Sequence, residues 1–223
     1  MLDEYDNSAK VQIAAVKEIF ASGDYLKIFD FLTFVLRHPK VPYEMDRKLE
    51  HALRISGAAY TIIGRDTFAP FGSEAERAAV ARAFVDLHST ELNGARAHLR
   101  AAAEALTASR YADSVRESAQ ALESVSRVIE PGATTLSPAL AKLEQRIGIH
   151  PALRKGFANL YGFTSSEKGI RHPLLEKGSA DVDEADALYM MGACAAFVSY
   201  VVNKARAAGL LGQGGLATKR PKR

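Results

Sequence analysis

Residues 111–129, YADSVRESAQALESVSRVI, are the stretch that decides the fold. Small and apolar side chains recur along it every three or four positions, which predicts an amphipathic α-helix. The packing stripe consists of Val115, Ala119, Leu122, Ser126 and Ile129. The polar flank, at i, i+4 spacing, consists of Arg116, Gln120, Glu123 and Arg127. One face of this helix therefore suits a core, and the other suits ion pairs or a binding site.

The same periodicity predicts helices along most of the chain. Before the opening stretch, helices are expected over about residues 11–20, 26–36, 43–55, 74–88 and 92–108. After it, short helices begin at Ser137-Pro138 and at His150-Pro151, since proline is tolerated at the first helical position. The second of these is expected to end near Tyr161, and Gly162 to Gly169 to form a loop. The last long helix runs from Asp183 to near Gly209.

Two local motifs interrupt and restart the helices. Tyr60 to Gly72 alternates β-branched and aromatic residues around Gly64-Arg65-Asp66, which predicts a small β-hairpin or an extended loop. Ser73 and Glu76 then form a predicted capping box for the next helix.

These elements predict an all-α fold with a short hairpin, divided into two helical parts. We expect a helical N-terminal domain over residues 1–90 with the hairpin near 60–72. A helical bundle is expected over residues 91–209, followed by a flexible basic tail over 210–223.

Composition excludes several classes of protein. With 48% hydrophobic and 25% charged residues, the chain is globular. Its single cysteine, Cys194, lies among small apolar residues, so it is expected to be buried and not reactive. The acidic start of the chain lacks a signal peptide, and the longest uncharged run, Ala187 to Val202, is shorter than the roughly 18 residues of a membrane span. We therefore expect a cytoplasmic protein with no membrane span.

The net charge and the missing sequence motifs exclude several kinds of enzyme and of metal site. The tail after Thr218 supplies four of the positive charges in a net charge of +3, so the remainder of the chain is slightly acidic. Phosphate loops, dinucleotide fingerprints, zinc-protease motifs and nucleophile elbows are all missing from the sequence. The six histidines form no helical metal-binding pair, so neither a metal nor another cofactor is expected.

The stretch His150 to His172 combines cations with interleaved aromatic side chains. Arg154, Lys155, Lys168 and Tyr161 are the candidate RNA-binding residues. Cations that attract phosphates and rings that stack on bases are typical of single-strand binding. Under the alternative interpretation, the aromatic residues are a core face and the cations are solvated.

Arg171 and His172 are the candidate catalytic residues at the end of that stretch. Histidine can transfer a proton near neutral pH, and arginine can hold a phosphate in a bidentate grip. On the 111–129 helix, Arg116 and Glu123 either face and orient His172 or belong to a salt-bridged helix side.

Several ordered segments over residues 92–206 resemble the C-terminal region of abortive-infection proteins of the AbiJ-like class. The segments are Gly94 to Leu99, Tyr111 to Ser118, Ala121 to Val125, Leu160 to Ser165, Gly169 to His172 and Asp183 to Met191. The resemblance implies a bundle of the HEPN superfamily, many of whose members are metal-independent ribonucleases. Those enzymes carry Arg and His separated by a spacer of four to six residues. Here Arg171 directly precedes His172, so the sequence departs from that motif.

The resemblance implies a phage-defence protein that binds RNA, with or without cleaving it, or else a non-catalytic HEPN sensor or protein-interaction scaffold. The helix from Asp183 to Ala208 is apolar almost all round, so a homodimer that covers it is expected. Residues 1–87 are expected to have a recognition or regulatory role towards an unidentified regulatory protein or phage trigger.

Overall fold

The structure is a computed structural model that describes residues 9–133, 135–166, 170 and 180–212. Within those residues the protein is mostly helical, with nine α-helices, a short 3-10 helix at Thr90–Leu92 and one antiparallel hairpin. The helices are α1 (Ala9–Ala21), α2 (Tyr25–Arg37), α3 (Met45–Ile55), α4 (Glu74–Asp86), α5 (Asn93–Thr107), α6 (Tyr111–Ile129), α7 (Leu136–Ile147), α8 (Pro151–Ser166) and α9 (Glu184–Ala207). The strands are β1 (Tyr60–Ile63) and β2 (Thr67–Pro70).

Helix α6 occupies the centre of a bundle. It packs between α5 and α9, α4 covers another side of α9, and α7 and α8 close the far side. All five residues of the predicted packing stripe on α6 are buried, so that prediction is confirmed. Periodicity therefore located the central helix and its core face correctly.

Side-chain caps fix where two of the helices begin. Asp183 accepts the backbone N–H of Asp186 at 2.9 Å, and the Asp186 carboxylate accepts the N–H of Asp183 at 3.3 Å, which completes a capping box for α9. Ser73 caps α4 as predicted. The second half of the predicted box is wrong, because the Glu76 carboxylate accepts the N–H of Gly72 and not that of Ser73.

The hairpin forms where the sequence predicted it. Ile63 pairs with Thr67, and the loop between them has left-handed backbone at Gly64 and Arg65. Strand β2 is buried along its whole length against α5. Arg100 on α5 supports the loop, with Nη2 lying 3.0 Å from Asp66 Oδ1.

The predicted loop over Gly162 to Gly169 is wrong in its first part, because α8 continues to Ser166. Tyr161 and Thr164 are buried, and the Thr164 hydroxyl donates to the Tyr161 carbonyl. A glycine inside a helix costs only about 1 kcal/mol, so packing of this turn on the core outweighs the preference of Gly162.

Helix α9 is the core helix of the bundle. Among the described residues it alone is long and apolar enough to cross a membrane, but most of its apolar window is buried in the protein. Met191, Phe197, Val198, Val201 and Val202, which suggested a covering second copy, are buried within the one chain. Most of the apolar surface of α9 is therefore covered within the chain, and a homodimer through the remaining surface stays a prediction.

The core continues across the predicted boundary at residue 90. Ile63 and Ala69 of the hairpin and Phe84 of α4 belong to the same buried cluster as Leu99 of α5 and Val115 of α6. Helices α1–α3 lie outside this cluster, and α3 reaches it through β1. This placement leaves an open space between α3 and α4.

Candidate functional site

Arg116 lies in a cluster of charged side chains on α6. Its Nη1 is 2.8 Å from Asp113 Oδ1, and its Nε is 3.6 Å from Glu117 Oε1. The other Glu117 oxygen lies 2.8 Å from His98 Nδ1 on α5. The predicted orienting arginine thus contacts two carboxylates of its own helix.

Glu123 is joined to Tyr161 of α8. The Tyr161 hydroxyl donates to Glu123 Oε2 at 2.6 Å, and only 8% of the tyrosine surface is exposed. The ring predicted to stack on RNA therefore lies in the core. Tyr161 thus belongs to the packing between α6 and α8. This agrees with the alternative interpretation, in which the aromatic residues of this stretch form a core face.

Two of the other predicted RNA-binding residues, Arg154 and Lys155, lie side by side near the start of α8. Arg154 pairs with Glu144 of α7, whereas Lys155 is exposed. Phe157 stacks on Phe197 of α9 with ring centroids 3.4 Å apart. Lys168, Arg171 and His172 lie outside the described residues. The predicted approach of Arg116 and Glu123 to His172 therefore stays a prediction.

A large cavity lies elsewhere, in the open space between α3 and α4. It has a volume of about 1330 Å³. Both helices pack against β1, which forms the floor. A cleft of this kind, with apolar surface and convergent polar groups, is the usual form of a ligand site.

Helix α3 forms a basic wall of this cleft. Arg47, His51 and Arg54 recur at i, i+4 and i+7, so they share one face, and all three are exposed. The Arg54 Nη2 lies 3.3 Å from His51 Nδ1. Since a guanidinium only donates hydrogen bonds, this imidazole nitrogen is the acceptor.

The floor is held to α3 by one carboxylate. Glu50 Oε2 accepts the backbone N–H of Ile62 at 2.6 Å, and Glu50 Oε1 accepts the Thr61 hydroxyl at 2.9 Å. The cleft therefore runs along the outer edge of β1, and one N–H of that edge is already occupied.

The other carboxylates in the cleft have cationic partners. Asp46 Oδ2 accepts Arg65 Nε at 2.9 Å. Partial burial opposes ionisation of Asp46, but the hydrogen bond and charge of Arg65 together with backbone N–H hydrogen bonds outweigh it, so the pKa of Asp46 lies below its usual value. Glu74 pairs with Arg77 of the next turn. Asp86 Oδ1 lies 3.8 Å from Arg206 Nη1 of α9, and Arg206 Nη2 also donates to the Asp86 backbone carbonyl at 2.6 Å.

Helix α4 forms a more apolar wall. Ala81, Phe84 and Val85 line it, and 54% of the Val85 surface is exposed. His88 lies just beyond the end of the helix, with Nδ1 3.3 Å from Arg96 Nη1. The cleft thus offers cations on one wall and apolar surface on the other.

This cleft is not among the sites predicted from the sequence. The spacing of Arg47, His51 and Arg54 along the sequence indicates a basic face on α3. It does not indicate which element lies opposite that face. Among the described residues, no group of three His, Cys, Asp or Glu side chains is placed to hold a metal ion.

Comparison of the chain with protein-family models, with curated proteins and with solved structures gives no match.

Proposed function

We propose that this chain is a cytoplasmic phage-defence protein of the abortive-infection type, acting as a sensor or interaction scaffold. In this proposal the bundle is a HEPN-like support, and the cleft between α3 and α4 is the recognition site. The observation that carries the proposal is the cleft itself, because its basic wall, apolar wall and volume of about 1330 Å³ suit ligand recognition.

The contacts of Arg116 and Glu123, the predicted partners of the catalytic histidine, support a non-catalytic role for the bundle. Arg116 contacts Asp113 and Glu117, and Glu123 accepts the hydroxyl of buried Tyr161. An arginine already flanked by carboxylates has weaker attraction for a phosphate, since the local charges oppose each other.

A metal-independent ribonuclease that binds and cuts RNA is the second candidate. One observation favours it: His98 Nδ1 lies 2.8 Å from Glu117, and Arg116 approaches the same carboxylate. A histidine oriented by a carboxylate can act as a general acid or base. In this second candidate function, Arg171 and His172 are the further catalytic residues.

An infection assay tests the leading proposal. Bacteria that express the full chain should yield fewer phage than bacteria that express the Arg47→Ala/Arg54→Ala double variant. Equal phage yields from these two strains and an empty-vector strain would overturn the defence role.

A cleavage assay separates the two candidates. For a sensor, purified protein leaves RNA intact, and His172→Ala protects cells as well as the wild type does. For a ribonuclease, His172→Ala or His98→Ala should lower cleavage by about 10²–10⁴-fold at unchanged melting temperature.

A further inference from the structure

The two outer arginines of the α3 wall differ from the other arginines of the cleft. Arg65, Arg77 and Arg206 each have a carboxylate within 4 Å. In the part of the chain that the structure describes, no carboxylate lies within 4 Å of the guanidinium groups of Arg47 and Arg54, and both side chains are exposed. Each guanidinium carries five N–H donors in a planar fork. This wall is therefore suited to anionic oxygens.

The spacing of these arginines indicates more than one anionic group. They are seven residues apart on α3, which is about 10 Å along the helix axis. His51 lies between them on the same face. With both side chains extended from the helix, the two guanidinium groups match a ligand that carries several anionic groups in a row.

The rest of the cleft surface is apolar and is complementary to a flat or apolar group on the same ligand. Val85 and Ala81 line the α4 wall, and half-buried Ile62 and Phe71 line the floor. The volume of about 1330 Å³ is larger than the roughly 300–1,000 Å³ of most small-molecule sites. There is room for a phosphate chain and a base together.

The floor argues against an added peptide strand. An extended peptide that pairs with β1 needs the outward-facing backbone N–H of Ile62. The Glu50 carboxylate accepts that N–H at 2.6 Å. A ligand recognised through side chains, and not through main-chain pairing, fits the cleft better.

We propose that the cleft between α3 and α4 binds a nucleotide ligand in which two or more phosphates follow one another. Arg47 and Arg54 contact the phosphates, and the base packs against the apolar α4 wall. The same chemistry is offered by a free nucleoside triphosphate and by consecutive nucleotides of a single strand. This inference rests on the proposed recognition role of the cleft.

Calorimetric titration of the full chain with ATP, with GTP and with a ten-nucleotide single-stranded RNA tests the inference. Arg47→Ala and Arg54→Ala should each weaken binding by about tenfold or more, since each removes charge-assisted hydrogen bonds. Val85→Asp should weaken it as well, because it places a negative charge on the apolar wall. Val85 is exposed enough for the variant to fold.

Lys48→Ala is the matched control. Lys48 is an exposed cation on α3 that does not line the cleft, so its loss changes the net charge equally. Binding by this variant should stay within twofold of the wild type. Binding of the triphosphates alone would identify a free nucleotide, and binding of the RNA alone would identify a strand.

Three results would overturn the inference. They are no heat of binding for any of these ligands at millimolar concentration, a Lys48→Ala loss equal to those of the arginine variants, or binding of a poly-glutamate peptide in place of the nucleotides. Because the infection assay is independent, phage protection without nucleotide binding refutes this inference alone. Nucleotide binding without protection refutes the defence role alone.

Discussion

The Glu50 carboxylate accepts the backbone N–H of Ile62 at 2.6 Å and joins α3 to the outer edge of β1. The same carboxylate accepts the Thr61 hydroxyl. Because the basic wall of the cleft lies on α3 and the floor lies on β1, this side chain links the wall to the floor.

Removal of that carboxylate should loosen the cleft. Glu50→Ala leaves the half-buried Ile62 N–H without its acceptor, which costs about 1–3 kcal/mol in the free energy of unfolding. Glu50→Gln keeps one carbonyl acceptor and should cost less. Urea unfolding of both variants measures the difference, and equal losses would show that the hydrogen bond to Ile62 is unimportant.

A side chain at Gly64 in the hairpin loop should destabilise the protein. The backbone there is left-handed, with φ +58°, and an added Cβ would lie 3.0 Å from Arg100 Nη2 and 3.3 Å from Phe84 Cε1. Gly64→Ala should therefore lower the free energy of unfolding by about 1–2 kcal/mol.

Gly156→Ala is the matched control for the Gly64 variant. Gly156 lies inside α8, and an added Cβ meets nothing within 4 Å. The change should raise the free energy of unfolding by about 0.5–1 kcal/mol, because alanine favours a helix more than glycine does. Chemical denaturation measures both variants, and a shift of the same sign for the two would contradict the loop geometry.

The connection between α6 and α7 should weaken in acid. Hydrogen bonds from Arg146 and then from Lys142 hold the pKa of Glu130 below its usual value. A carboxyl whose pKa is lowered on folding stabilises the protein above the unfolded-state pKa, about 4.3, and loses this contribution as the pH falls through the folded-state pKa.

Glu130→Gln tests this pH dependence. The variant should have a lower urea midpoint than the wild type at pH 7, and the gap should shrink at pH 3.5. If the gap is as wide at pH 3.5 as at pH 7, ionisation of Glu130 does not contribute to stability.

The Cys194 thiol should be inert in the folded protein. It is 3% exposed, and burial raises its pKa to about 12, so almost no thiolate is present at pH 8. A thiol reagent should therefore label Cys194 slowly in buffer and fully in 8 M urea. Rapid labelling without urea would show that α9 opens to solvent.

A homodimer remains a prediction, and the groove between α4 and α9 is its natural seam. Ala79, Ala196 and Ala207 line a groove of about 540 Å³ and allow close approach of a second helix. Light scattering should give twice the chain mass of 24.1 kDa for the wild type. It should give the monomer mass for Ala196→Glu and twice the chain mass for the control Ala78→Glu, whose site lies outside the groove. A monomeric wild type at micromolar concentration would refute the homodimer.

Local patterns predicted most of the elements. The bounds of α6 and the hairpin around Gly64-Arg65-Asp66 agree with the sequence, because periodicity and turn chemistry act over a few residues. The continuation of α8 through Gly162 was missed, since burial of Tyr161 and Thr164 against other helices outweighs a local preference. The burial of the Tyr161 ring has the same cause.

The sequence by itself determined the helical character, the bounds and core face of α6, and the burial of Cys194. These follow from the spacing of apolar side chains along single helices. Only the tertiary structure decided that α3 and α4 stand on either side of β1, with Arg47 and Arg54 facing a shared cleft. The physical reason is that a cleft depends on packing between elements far apart in sequence, and the pattern of one helix specifies which face is buried but not which element lies opposite.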